Sequence, residues 1–111
     1  MIPQARIFAA IRQVPRGMVS TYGAIGRAAG LARGARQVAA ALRLGAGLPW
    51  HRILGAGGAI KLRGPFAFEQ RMRLEAEGVR FRGKRVDMAQ HEYAFPRVKT
   101  RGVSLSRSRK K

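Results

Sequence analysis

Two short helical patterns joined by a link of four residues constrain the fold of this chain most strongly. The first pattern covers residues 22–29, where Ser20 or Thr21 can cap the start and Gly30 can end the helix. The second covers residues 35–44. Two helices joined by such a turn are typical of a helix-turn-helix, so we expect a mainly α domain built around this pair.

Two further helices are predicted on either side of the pair. Apolar residues recur at helical spacing in residues 3–14, and Pro15 and Gly17 end that pattern. A later helix begins at Pro65, a residue suited to a first helical position, and ends at Gly78. The sequence therefore predicts four helices.

Short β elements are predicted after the third helix. Residues 48–62 contain Pro49, several glycines and only brief apolar pairs, which predicts a strand fragment followed by a turn or hairpin. Residues 79–81 and 84–86 flank Arg82-Gly83 and predict a small hairpin. We expect these short β-hairpin elements beside the helices.

A large excess of positive charge predicts a polyanionic partner. The 111 residues include 23 Lys and Arg against 5 Asp and Glu, a formal net charge of +18 that solubility alone does not require. We expect a folded domain over residues 1–96 and a basic, disordered tail over residues 97–111, which contain seven basic residues and no acidic one. Without a long apolar run, a lipidation signal or a secretory signal, we expect nucleic acid rather than a membrane, and a cytoplasmic, nucleoid-associated location.

The sequence contains no cysteine, which excludes disulfides, thiolate metal ligands and sulfur nucleophiles. Its two histidines, His51 and His91, lie far apart in the sequence and have no ligand cluster near them. We therefore expect neither a metal site nor a cofactor.

The third predicted helix has an unusually small face. Ala40 and Ala41 accompany Arg36, Gln37 and Arg43. Small side chains let a helix backbone approach another surface closely, and that surface is either a neighbouring helix or a DNA groove. The strong positive charge favours the second interpretation, in which Arg36 and Arg43 reach phosphates or the base stack.

Four segments, taken in order, resemble the DNA-binding domain of the O6-alkylguanine-DNA alkyltransferases. The segments are residues 14–23, 35–43, 49–53 and 74–79, and the resemblance covers roughly residues 3–81. In those enzymes the third segment reads Pro-Cys-His-Arg, and its cysteine accepts the alkyl group. Trp50 occupies that position here, which is similar to the alkyltransferase-like proteins.

The resemblance implies a winged helix-turn-helix-like fold and a set of DNA contacts. Tyr22 matches the tyrosine that presses on the phosphate at the target nucleotide and helps to rotate that nucleotide out of the duplex. Arg36 matches the arginine that fills the vacated place in the base stack. The further residues expected at DNA are Ala35, Gln37, Ala40 and Arg43.

The resemblance also implies a pocket for the flipped base, with Trp50 as its wall. Arg63 lies where some alkyltransferase-like proteins carry an arginine that contacts the flipped base, although an isolated loop arginine is more often simply solvated. His51 and Glu77 are implied to form a hydrogen-bonded pair that shapes the pocket. The expected pocket residues are Trp50, His51, Arg63, Tyr22 and Pro49.

These features favour non-enzymatic recognition of O6-alkylguanine in double-stranded DNA. An indole is a poor nucleophile and no cysteine is present, so we expect no alkyl transfer. The resemblance implies that a monomer marks the lesion for nucleotide excision repair proteins. The alternative is an architectural or regulatory helix-turn-helix protein without lesion specificity, and a base-removing glycosylase is less favoured because acidic residues are scarce.

Overall fold

The computed structural model describes residues 3–96, so the predicted tail over residues 97–111 lies outside the described residues. The helices are α1 (Pro3–Gln13), α2 (Tyr22–Ala28), α3 (Ala35–Leu44), α4 (Pro65–Ala76) and α5 (Met88–His91). The first four agree with the predicted helices to within about two residues at each end. The short α5 was not predicted from the sequence. No helix within residues 3–96 has the length and apolar character needed to cross a bilayer.

Helices α1, α2 and α3 pack around one apolar core. Ile7 and Ile11 of α1 meet Ile25 of α2 and Val38 of α3 there, and all four are almost fully buried. The close approach of α2 to the link before α3 requires glycine, because a Cβ atom on Gly26 would lie 3.0 Å from the backbone of the link. This core confirms the predicted helix-turn-helix arrangement, with α1 packed against it.

Two small sheets complete the fold. Strand β1 (Ser20–Thr21) pairs in parallel with β2 (Ile53–Leu54), and β3 (Phe81–Arg82) pairs antiparallel with β4 (Arg85–Val86). A second apolar cluster lies between these sheets and α4. Its buried members are Val19, Leu54, Leu74, Val79 and Val86.

The structure shifts one predicted β element by one residue and confirms the other. The β3–β4 hairpin turns at residues 83–84 rather than 82–83, because Gly83 adopts a positive φ of 62° at the first turn position. Residues 48–62 contain the predicted strand fragment, β2, followed by a turn at Ala56–Gly58. One turn of 3-10 helix, Trp50–Arg52, precedes β2, which pairs with the distant β1. This parallel pairing joins segments about 30 residues apart, which local patterns do not reveal.

Candidate nucleic-acid interface

An apolar pocket lies where α3, α4 and the turn at Trp50 meet. Its volume is about 580 Å³. We call it the Trp50 pocket, and its lining consists of Tyr22, Ala39, Leu42, Arg43, Trp50, Leu62, Phe66 and Glu69. Two of the expected pocket residues, Tyr22 and Trp50, therefore lie in this lining. The aromatic and aliphatic walls suit a flat aromatic group.

The structure places the other expected pocket residues elsewhere. Pro49 and His51 line a second, more open pocket of about 680 Å³ together with Arg12, Gly47, Leu48, Trp50, Arg52 and Arg73. Trp50 is the one residue that lines both pockets. Arg63 is exposed and belongs to neither lining, so its contact with a base stays a prediction.

Five residues of the Trp50 pocket were not predicted from the sequence, and two of them, Ala39 and Leu42, belong to α3. Leu62 precedes α4, and Phe66 and Glu69 lie on its first two turns. Phe66 is 64 % exposed despite its apolar ring, so it forms an open rim of the pocket. The signal was present in the sequence, because residues three apart share one side of a helix, but only the tertiary packing of α4 directs that side toward Trp50.

Tyr22 lies at the first position of α2. Thr21 caps this helix, since its Oγ1 accepts a hydrogen bond of 3.1 Å from the Ala24 N–H. The ring of Tyr22 is partly buried against the first core, and burial raises the pKa of its hydroxyl. The hydroxyl therefore stays protonated at neutral pH and is available as a hydrogen-bond donor.

One side of helix α3 packs against the first core, and its other side is exposed to solvent. Its exposed residues include Ala35, Arg36, Gln37 and Arg43, all expected at DNA. Ala40 is half-buried, whereas Ala41 is buried in the first core. Ala41 therefore packs against neighbouring helices, as the first interpretation predicts. Ala40 lies beside the exposed surface, which fits the second interpretation.

Glu77 joins the turn at Trp50 to the end of α4. Its Oε2 lies 2.8 Å from Nε2 of His51, and Arg52 donates to both carboxylate oxygens at 3.0 and 2.8 Å. The Gly17 N–H donates to Oε1 at 3.3 Å. Burial raises the pKa of Glu77, but the hydrogen bonds from Arg52, His51 and Gly17 outweigh it and lower the pKa to about 2.

The ionised carboxylate of Glu77 also fixes the tautomer of His51. Because that carboxylate accepts a hydrogen bond from Nε2, Nε2 carries the proton. Nδ1 is buried without a hydrogen-bond partner in residues 3–96. His51 therefore acts as a link between the Trp50 turn and Glu77.

Arg52 and Gln70 hold the same turn, and no role was predicted for either residue. Arg52 donates from Nη1 to the Val14 carbonyl oxygen at 3.0 Å, which ties the turn to the end of α1. Gln70 of α4 is buried and donates from Nε2 to the carbonyl oxygens of His51 and Ile53 at 3.1 and 2.9 Å. The backbone next to Trp50 is thus anchored from both sides.

This domain matches a known protein family. The model of the 6-O-methylguanine DNA methyltransferase DNA-binding domain matches residues 3–79, and that range contains all four of the segments noted in the sequence. The chain belongs to this methyltransferase family. Among its relatives, the DNA base-flipping protein of Escherichia coli is 37 % identical over 94 residues, which cover 81 % of this chain and 73 % of the relative. Alkyltransferase-like protein 1 of Schizosaccharomyces pombe is 42 % identical over 79 residues, covering 67 % and 73 %.

Solved structures of the methyltransferase family share the fold. S. pombe Atl1 in complex with damaged DNA containing O6-carboxymethylguanine superposes with a TM-score of 0.70 at 31 % identity, over 83 % of this chain and 94 % of Atl1. The Mycobacterium tuberculosis O6-methylguanine methyltransferase gives a TM-score of 0.59 at 31 % identity, over 67 % of this chain and 47 % of that enzyme. The resemblance to the alkyltransferase-like proteins and the expected fold are thereby confirmed.

This member of the methyltransferase family has a hydrogen-bonded frame around the third segment and contains no thiol. Its frame consists of His51, Arg52 and Glu77, which hold the backbone on the C-terminal side of Trp50. Trp50 stands where the resemblance places the alkyl-accepting cysteine. The frame therefore holds the backbone beside a tryptophan that lines both pockets.

Proposed function

We propose that this protein recognises O6-alkylguanine in double-stranded DNA and leaves the altered base chemically unchanged. The observation that carries this proposal is the apolar Trp50 pocket, which adjoins the C-terminal half of the exposed, basic helix α3. Arg43 belongs to both features, since it is exposed on α3 and also lines the pocket. Relatives named DNA base-flipping protein, and the complex of Atl1 with damaged DNA, support the same interpretation.

In this proposal α3 lies in the minor groove and the altered nucleotide rotates out of the duplex. Arg36 then occupies the vacated place in the stack, where its planar guanidinium stacks and donates hydrogen bonds. Extrusion costs a few kcal/mol, and less when alkylation has already weakened the base pair. Tyr22, at the start of α2, presses on the phosphate and lines the pocket that receives the base.

The pocket binds the base by contact and not by reaction. Trp50 and Phe66 offer aromatic surfaces to the purine, and Leu42 and Leu62 offer aliphatic surfaces to the alkyl group. An indole does not accept an alkyl group at neutral pH, and the chain has no thiol. Glu77 is fully engaged by its hydrogen-bond donors, so it is not free to activate water.

A bound lesion that is not repaired must pass to another pathway. We therefore propose that the protein acts as a monomer on cytoplasmic, nucleoid DNA and marks the lesion for nucleotide excision repair proteins. Distortion of the duplex by minor-groove binding and base extrusion would supply the mark. The formal charge of +18 supports binding to the undamaged flanks at the same time.

The test compares two duplexes of identical sequence, one with a single O6-methylguanine and one with guanine. We expect tighter binding to the damaged duplex at every salt concentration, because phosphate contacts weaken equally for both duplexes while pocket contacts do not. Equal affinity across the salt series would instead favour the alternative of an architectural helix-turn-helix protein.

A further inference from the structure

Arg73 of α4 lies at the boundary between the two pockets. Its Nη2 and Nε lie 2.6 and 2.8 Å from Oε2 of Glu69, one helical turn earlier. Its guanidinium lies 5.4 Å from the centre of the Trp50 ring. Glu69 lines the Trp50 pocket, whereas Arg73 lines the second pocket. These three side chains therefore connect one pocket to the other.

The arrangement restrains the indole ring physically. A guanidinium within about 6 Å of a tryptophan ring centre is attracted by the ring quadrupole. Glu69 holds that guanidinium through one carboxylate oxygen, because Oε2 accepts a charge-assisted hydrogen bond from Nε and also lies close to Nη2. Because Glu69 and Arg73 both belong to α4, the helix sets the place of the ring.

The ring also separates the two pockets, since Trp50 is the residue common to both linings. If the side chain turned away, the Trp50 pocket would open into the second pocket. An alkyl group would then lose the wall against which it packs. The discrimination between an alkylated and an ordinary guanine thus depends on keeping the indole in one orientation.

We propose that Glu69 and Arg73 form a clamp that fixes Trp50 in the orientation required for lesion recognition. Arg73 is a positioning residue, because it acts on the base through Trp50. The role of the clamp in recognition rests on the function proposed above. The clamp itself can be tested independently of that function, because the restraint on the Trp50 ring can be measured in the free protein.

The structure provides a matched control on the same helix. Arg71 pairs with Glu75 at 3.2 Å, again one turn away, and its guanidinium lies 4.1 Å from the centre of the Phe81 ring. Neither Arg71 nor Phe81 lines either of the two pockets. Arg71→Gln therefore removes the same charge, an ion pair and a ring contact like those of Arg73, but away from Trp50. It also removes a hydrogen bond of 3.1 Å from Nη1 to the Gly83 carbonyl oxygen.

The first experiment measures Trp50 fluorescence in the free protein. Trp50 is the only tryptophan of the sequence, so selectively excited emission reports this ring alone. We expect Arg73→Gln and Glu69→Gln to lower the anisotropy of Trp50 emission and to increase its quenching by acrylamide. Arg73→Lys should have an intermediate effect, because lysine keeps the positive charge but lacks the planar guanidinium. Arg71→Gln should leave both quantities at their original values. Unchanged anisotropy and quenching in Arg73→Gln would overturn the clamp.

The second experiment measures the ratio of affinities for O6-methylguanine and undamaged duplexes. Arg73→Gln should lower this ratio about two- to fivefold, the range expected from one cation–π contact, whereas Arg71→Gln should leave it unchanged. A loosened Trp50 with an unchanged ratio would overturn the role in recognition. Both arginine side chains are about half exposed, and thermal unfolding of each variant verifies that the fold is kept.

The two experiments separate the two proposals. If the original protein shows no preference for the damaged duplex, the proposed function fails and the role of the clamp in recognition fails with it. The fluorescence of the free protein would still show whether Glu69 and Arg73 hold the ring.

Discussion

Nε2 of His51 lies 2.8 Å from Oε2 of Glu77, in a chain that has no thiol for this histidine to serve. The same carboxylate accepts hydrogen bonds from Arg52 and from the backbone of Gly17. The pair therefore joins the Trp50 turn, the end of α4 and the loop after α1. In the proposed function this pair holds the wall of the pocket, and we expect its removal to reduce the stability of the fold.

Replacing Glu77 with Ala should destabilise the fold by about 3 kcal/mol, because the partly buried guanidinium of Arg52 loses its charged partner. Glu77→Gln should cost less, since the amide oxygen still accepts a hydrogen bond. Urea unfolding measures both changes. Glu75→Gln, on the exposed surface of the same helix, serves as the control and should shift stability by less than about 0.5 kcal/mol.

Stability should also fall at acidic pH through Glu77. The pKa of its carboxyl is about 2 in the folded protein, below its ordinary value of 4.5. A group whose pKa is depressed on folding contributes stability above its unfolded pKa and loses that contribution as the pH falls toward its folded pKa. Urea midpoints should therefore decline from about pH 5 toward pH 2, with a shallower decline in Glu77→Gln. Identical slopes for the two proteins would show that Glu77 is not responsible.

Arg36→Ala should weaken binding to an O6-methylguanine duplex about tenfold, the loss expected when one stacking group leaves the base stack. Because Arg36 is exposed on α3, the thermal unfolding midpoint should not change. Arg80→Ala, an equally exposed charge beside the hairpin, controls for the lost charge. Equal weakening by the two substitutions would mean that Arg36 contributes only charge.

Phe66→Ala should reduce the preference for damaged DNA about fivefold, because the pocket loses an aromatic rim. Phe68→Ala is the matched control: Phe68 lies two residues further on α4, is 70 % exposed and does not line the pocket. Competition binding with damaged and undamaged duplexes measures both variants. A similar effect of both substitutions would place the base elsewhere on the protein.

Local patterns were sufficient for the four longer helices. Thr21 and Gly34 precede α2 and α3, and short polar or flexible residues commonly stand where helices begin, so those boundaries were readable from the sequence. The pairing of β1 with β2 was not readable, because two-residue strands carry no periodicity and their pairing depends on distant packing. Helix α5 has only four residues and was missed for a similar reason.

The pocket could be predicted only in part. Tyr22 and Trp50 belonged to segments whose resemblance carried a role, and both line the Trp50 pocket. Phe66, Glu69 and Arg73 have no such signal, since the sequence gives the spacing along α4 but not the direction in which that helix packs. Their contribution became visible only through the tertiary contacts of α4 with the Trp50 turn.

The central claim is recognition beside Trp50 without chemistry, and one titration tests it directly. A duplex with a single O6-methylguanine is added while Trp50 fluorescence is followed, and the recovered duplex is then digested to nucleosides and its O6-methylguanine is quantified. We predict a fluorescence change that saturates at one protein per lesion, a smaller change with undamaged duplex, and full recovery of O6-methylguanine. The same fluorescence change with both duplexes, or loss of the methyl group from the DNA, would contradict the claim.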